Sequence, residues 1–321
     1  FCKPFDGVEI SMKYFNQKDC KNDTLKDTKK SIKKTGSLTK LPLLSALLIL
    51  ILLFALIGSG CLGQNTSDDK LTISGSTSVL PLAQVLSERY MGTNTETIIS
   101  VKGGGSGTGI AELIDSSNDI AMSSRKIKDT EISNANAKGI EPIEYEIAKD
   151  GISVIINPSN PVNNLTLEQL QKIYSGEIKN WKEVGGEDSE IAAIARDSAS
   201  GTQEFFKEAV MGETDFRSDL ITQAATGAVT QEVTQNKKAI GFIGAAYQNN
   251  NVKTIGINTG SEVVMPTEEN ILSETYPLSR GLYLYTPQSP KQAASEFMEF
   301  IMSADGQKIV RELGYAPIKS I

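Results

Sequence analysis

Histidine is absent from the 321-residue chain, and this absence excludes more chemistry than any other feature of the composition. Without an imidazole there is no Ser-His or Cys-His nucleophile, no His-ligated metal and no imidazole general base. Cysteine is scarce: Cys2 and Cys20 precede a long apolar run and Cys61 closes it, so the globular part has no disulfide and no metal-ligand spacing. Basic charge is short where a nucleic-acid surface would need it. Residues 1–60 contain ten Lys against five Asp or Glu, a surplus of +5, so the overall net charge of −7 leaves −12 on the remainder. Nucleic acid is therefore excluded as a partner, because phosphate-backbone binding needs a basic surface that releases counterions. A small anion held by local dipoles is not excluded.

What is present reads as a soluble globular body behind an N-terminal leader. The 39% hydrophobic and 22% charged residues suit an ordinary fold, and the length allows two domains. Residues 1–40 are polar and Lys-rich, and 41–57 form an apolar run broken only by Pro42 and Ser45. The segment 41–60 is expected to be a signal or membrane anchor. Cys61 matches a lipid-attachment position, with Gly58 three residues before it where such sites usually carry Leu. Lipidation after cleavage and an uncleaved anchor are the alternatives, and both place the rest outside the cytoplasm. Residues 61–70 form a tether.

From Leu71 the pattern alternates. Strands are expected at 71–74, 97–101, 119–122, 151–156, 191–195, 239–243 and 281–285, with an extended stretch at 139–148. Helices are expected at 79–91, from Ile110 to Ile114, at 165–174 behind a Thr166 cap, and at 203–211, 227–235, 290–303 and 305–313. The alternation predicts an α/β fold with mainly parallel strands. The single tryptophan, Trp181, reads as a packing residue.

Three strand-to-helix turns share one chemistry: Gly75-Ser76-Thr77-Ser78, Gly103-Gly104-Gly105-Ser106-Gly107-Thr108-Gly109, and Arg196-Asp197-Ser198-Ala199-Ser200-Gly201-Thr202. A helix start exposes unpaired N–H donors and about half a positive charge. Glycine lets an anion approach the backbone, hydroxyls add rotatable donors, and an arginine adds a charged fork. Ser, Thr and Asp are also ordinary helix caps, but three such turns in one chain favour a tetrahedral-oxyanion site. The glycine-rich turn is neither a Walker A loop nor G-x-G-x-x-G. Ser124 in Ser123-Ser124-Arg125 is a fourth candidate, and Arg125 either approaches the ligand or forms a surface or interdomain ion pair.

As a set, these turns together with residues 119–125 and 151–158, Ala239-Ile240-Gly241-Phe242-Ile243 and Leu313-Gly314-Tyr315-Ala316-Pro317 resemble the phosphate-binding subunit of the phosphate ABC importer, an extracytoplasmic solute-binding protein. The resemblance implies a two-lobed type II periplasmic-binding-protein fold with the ligand cleft between lobes. Lobe 1 would be 71–150 plus 245–321 and lobe 2 would be 151–244, with crossings near Asp150-Gly151 and Gly244-Ala245. It implies inorganic phosphate as ligand, bound by Ser76, Thr77, Ser106, Ser124, Arg196, Ser200, Gly201 and Thr202. The implied partners are the permease and ATPase subunits of the importer, and the implied location is the outer face of the cytoplasmic membrane. Ser124 stands where well-known members carry an Asp that accepts from protonated phosphate, and a hydroxyl both donates and accepts. Asp197 is then either the missing acceptor or the residue that orients Arg196. Trp181 fluorescence is expected to report closure. No cofactor, metal or enzymatic activity is implied. The alternatives are a receptor for sulfate, molybdate or tungstate, and a phosphate-ester hydrolase using Ser200 or Ser106, which lacks an evident base.

Overall fold

One long strand organises the chain. In the computed structural model, which describes residues 69–319, the strands are β1 Lys70–Gly75, β2 Ile98–Gly103, β3 Ile120–Ser123, β4 Pro142–Ile156, β5 Asn164–Leu165, β6 Ala192–Arg196, β7 Ile221–Gln223, β8 Ala239–Gly244, β9 Lys253–Asn258, β10 Val263–Val264 and β11 Ser279–Pro287. The helices are α1 Leu80–Thr93, α2 Ser106–Ile114, α3 Asp129–Ala137, α4 Leu167–Ser175, α5 Gly201–Phe206, α6 Thr226–Gln235, α7 Glu268–Leu272, α8 Gln292–Met302 and α9 Ala304–Glu312. The Lys-rich segment, the expected anchor, Cys61 and most of the tether lie outside the described residues. Among the described residues, no helix is long and apolar enough to cross a membrane.

The strand order is β2-β1-β3-β11-β4-β8-β6-β7, with β9 also on β4 and β5 and β10 on β9. The extended stretch and the apolar run expected as separate pieces are one strand of 15 residues, β4. Its first part, as far as Gly151, pairs antiparallel with β11, and Ile152 to Ile156 pair with β8 and β9. The sheet is mixed, not mainly parallel. β1 is parallel to β2 and β3, and β6 to β7 and β8, but every ladder formed by β4 and β11 is antiparallel. Periodicity shows that a strand exists; its direction depends on where the connection lands, which the local pattern does not carry.

The second crossing differs from the expected one near Gly244-Ala245. After Ala245 the chain goes back to the second half of the sheet, where β9 pairs with β4 and β5. Ile255, Ile257, Val264, Ile271, Tyr276 and Leu278 pack in one core with Ile152, Val154 and Phe242. The return to the first half comes at Leu278 to Arg280, where β11 begins beside β4. Residues 253–278 thus belong with 152–244, not with the first half.

Helices cover both faces of each half. In the first half, Leu82, Leu86, Phe297 and Ile301 pack on one face of the sheet, while Ile110 and Leu113 pack with Tyr283 and Tyr285 on the other. In the second, Phe206, Tyr174 and Trp181 pack on one face, and Val229 and Val233 on the other. Strands covered on both faces read as near-continuous apolar runs, as β8 and the last part of β4, from Gly151 to Ile156, do.

Candidate functional site

Each of the three expected turns ends a strand and starts a helix, and a fourth turn of the same kind joins them. β1 leads to α1 and β2 to α2 in the first half; β6 leads to α5 and β7 to α6 in the second. The helix starts therefore bring uncompensated N–H donors from both halves.

Hydroxyls from the two halves touch. Ser78 Oγ lies 2.9 Å from Thr202 Oγ1 and 3.4 Å from Thr226 Oγ1, and Thr77 Oγ1 lies 3.2 Å from Thr226 Oγ1. Ser106 Oγ is 3.3 Å from Ser124 Oγ and accepts the Ser124 N–H at 3.1 Å. The Gly107 N–H donates to the Ala199 carbonyl across the cleft at 3.1 Å. Gly105 makes this approach feasible: its φ is +100°, and a Cβ there would lie 2.6 Å from the Ala199 oxygen.

Arg196 is 3% exposed, and its guanidinium donates to the Gln223 carbonyl (3.0 Å), the Ala224 carbonyl (2.9 Å) and Thr226 Oγ1 (3.0 Å). Of the four buried charged side chains among the described residues, Arg280 pairs with Asp150 and Arg125 pairs with Glu131 and Glu204. Arg196 alone has no carboxylate within salt-bridge distance. Burial lowers its pKa; the nearby Asp197 charge opposes this without pairing, and the Arg280 charge adds to it. A buried cation without a paired carboxylate is costly unless an anion is to meet it.

Other expected residues take different roles in this geometry. The Ser76 hydroxyl accepts the Ser78 N–H at 3.2 Å, within its own turn. The Ser200 hydroxyl caps α5, accepting the Gln203 N–H at 3.3 Å. Asp197 makes no hydrogen bond to Arg196, and its Oδ1 has no partner; Gln223, Ala224 and Thr226 orient the guanidinium instead. Trp181 is buried in the second half's core with its indole N–H on the Lys238 carbonyl, so its packing reading stands and it is not placed to sense the cleft.

Sequence reasoning missed Ser78, Thr226, Arg280 and Asp150. Thr226 had a signal, since Ala224-Ala225-Thr226-Gly227 is another small-residue turn before a helix. Arg280 and Asp150 had little, being strand residues that face each other only once β4 and β11 pair.

Arg125 joins the halves at the cleft. It sits after β3, in the first half, and binds Glu131 at 2.7 Å, while its Nε and Lys128 Nζ both reach Glu204 on α5 of the second half. Burial raises the Glu131 carboxyl, but the Arg125 fork outweighs it and holds the pKa below the ordinary value. Glu204→Gln removes the charge that ties the halves while Glu131 keeps Arg125 paired. A loss of about 1 kcal/mol, read as roughly fivefold faster ligand release in stopped-flow mixing, is the expected outcome; an unchanged release rate would show that this ion pair does not hold the cleft shut.

Residues 63–305 match the PBP superfamily domain. The chain is 34% identical over 251 residues to the phosphate-binding protein PstS of Staphylococcus epidermidis RP62A, covering 75% of this chain and 76% of that protein. It belongs to the PstS family. The PstS of Staphylococcus aureus USA300 is likewise 34% identical over 283 residues, covering 84% of this chain and 86% of that protein. Among solved structures, a Clostridium perfringens substrate-binding protein with bound phosphate superposes with a TM-score of 0.73 at 32% identity, covering 78% of this chain and all (100%) of that one. An ABC-type phosphate transport receptor from Vibrio cholerae gives a TM-score of 0.64 at 35% identity, over 77% of this chain and 99% of that one. The PstS family fold is the two-lobed one, and β4 and β11 are the strands that join its lobes here.

Proposed function

We propose that this chain captures inorganic phosphate between its two halves and delivers it to an ABC-type importer. The observation that carries this reading is Arg196: a buried guanidinium with no carboxylate in salt-bridge reach, whose hydroxyl partner Thr226 in turn touches Thr77 and Ser78 of the other half. Thr77, Ser106, Ser124, Arg196, Gly201 and Thr202 are the binding residues of this proposal, and Ser78 and Thr226 are added to them. Ser76 and Ser200 contribute by shaping their turns, each hydroxyl accepting a backbone N–H, from Ser78 and from Gln203, while their own N–H groups donate to the Met122 and Asp197 carbonyls. The relatives' names, a phosphate-binding protein and an ABC-type phosphate transport receptor, support this ligand and partner, and the apolar run supports a location outside the cytoplasm, with residues 41–60 as signal or anchor and Cys61 as the lipid-attachment position.

Titration calorimetry of the purified protein with phosphate, sulfate, molybdate and tungstate tests the reading. Phosphate is expected to bind in the micromolar range or tighter, with only a modest loss between low and physiological salt because the contacts are short-ranged and buried. Tighter binding of molybdate or tungstate, or no binding of phosphate, would overturn it.

A further inference from the structure

A cavity of about 490 Å³ lies where β4 and β11 pass from one half to the other. The first half contributes Arg125, Lys126, Glu146 and Lys149 to its wall. The second contributes Phe205 at the end of α5, Glu208 in the π-helical turn Lys207–Met211 that continues it, and Glu274. None of the hydroxyls proposed to hold the anion lines this cavity, and its volume suits a small organic molecule.

The cations along the wall are already matched. Arg125 pairs with Glu131 and Glu204, Lys149 with Glu274, and Arg280 with Asp150, while the third arm of Arg280 donates to Thr202 Oγ1 at 2.9 Å. Lys126 lies 3.9 Å from Glu144. Two carboxylates are left over: Glu146 in the first half and Glu208 in the second have no Lys or Arg within salt-bridge distance among the described residues.

Tyr283 provides an independent sign of a ligand. Of the six buried tyrosines among the described residues, five donate their hydroxyl to a carbonyl or a carboxylate. Tyr283, only 6% exposed, lines the cavity and its hydroxyl has no partner. Burial pushes its pKa up to about 12, and the charges of Glu146, Glu144 and Glu274 add to the rise, so the hydroxyl stays protonated in a negative field. Gly281 keeps the space before it clear: a Cβ there would strike Tyr283 Oη and lie 2.8 Å from Glu146 Oε1. The φ of Gly281 is not left-handed, so the backbone does not demand glycine; a glycine inside a strand marks a close approach.

We propose that this cavity is a second ligand site, for a small alkyl diamine whose two ammonium groups bridge Glu146 of one half and Glu208 of the other. An ammonium has three donors and no acceptor, so it satisfies a carboxylate and the free Tyr283 oxygen together. The alkyl chain packs on Phe205 and Tyr283, whose ring faces also attract a cation. A metal ion does not suit the donor set, since no group of three or more Cys, Asp or Glu among the described residues is placed to hold one.

The test titrates the protein, without phosphate, with 1,4-diaminobutane and spermidine by calorimetry at about pH 7.5, where the amines are charged. It therefore stands apart from the phosphate reading. The wild type is expected to bind both amines, and 1-aminobutane about fivefold more weakly, the loss of one ion pair. Glu146→Gln and Glu208→Gln keep the size and remove the charge, and each is expected to weaken diamine binding by a similar factor. Tyr283→Phe removes only the free hydroxyl and should cost about fivefold as well. Gly281→Ala obstructs the cavity without changing any charge and is expected to abolish binding; a thermal melt shows whether it folds, and if it does not, the carboxylate and tyrosine variants decide. No binding by the wild type, wild-type binding by the double Gln variant, or an effect of only one of the two carboxylates would overturn the proposal. Diffuse attraction to an acidic surface predicts that magnesium chloride displaces the diamine and that Tyr283→Phe and Gly281→Ala bind as the wild type does, and that result overturns it too.

Discussion

Arg196→Ala is expected to abolish measurable phosphate binding while the protein stays folded. Hydrogen bonds to a charged group are each worth about 1.5–3 kcal/mol, and the attraction between a buried cation and a desolvated anion adds to that. A loss of at least about 3 kcal/mol, a hundredfold or more in Kd, follows. In the ligand-free protein the opposing effects nearly cancel. Removing a buried cation relieves its desolvation, whereas the Gln223 and Ala224 carbonyls lose their donors. Melting curves separate the two effects. Phosphate at a hundred times its Kd adds about 2.7 kcal/mol to stability, worth roughly 5–11 °C for a domain of this size. The wild type should show that shift and Arg196→Ala should not; an equal shift in both would remove Arg196 from the site.

Gly201→Ala is expected to weaken phosphate binding by one to two orders of magnitude without loss of stability. Gly201 is the first residue of α5 and its φ is not in the left-handed region, so alanine suits the local backbone. In a helix that exchange is favourable by up to about 1 kcal/mol. Its methyl, however, would point across the cleft at the hydroxyls of Ser106 and Ser124, with Ser124 Oγ only 2.8 Å away. Forcing an extra methyl into a packed contact costs about 1–3 kcal/mol, and here the cost falls only on the arrangement in which the two halves meet. Calorimetry paired with a thermal melt is the measurement. Wild-type affinity in this variant would mean that the halves do not approach as closely as these contacts require when the ligand binds.

The parts of the site that the sequence exposes are those carried by local chemistry. The turns at Gly75, Gly103 and Arg196 are contiguous runs of small donors between a strand and a helix, and each lies at a cleft-facing helix start. The parts it hides depend on distant partners. Nothing local to Asp150 or Arg280 states that β4 and β11 will set them side by side across 130 residues. The roles of individual hydroxyls were hidden for the same reason. Ser76 and Ser78 are equivalent as residues in a turn, yet the folded turn directs one hydroxyl to its own backbone and the other to Thr202. The second crossing, which the resemblance put near Gly244-Ala245, falls instead at Leu278 to Arg280, a return marked by β-sheet pairing with strands distant in sequence.

The single strand β4 also governs how this molecule can move. Its ladder with β11 runs from Pro142 to Gly151 and its ladder with β8 starts at the next residue, so there is no unpaired backbone between the halves to act as a loose joint. Any opening must be a flexing of a hydrogen-bonded ribbon, in the manner of a leaf spring fixed at both ends. Such a spring would permit only a small, directed excursion and would return Ser78, Thr202, Thr226 and two guanidinium groups to the contacts they make here.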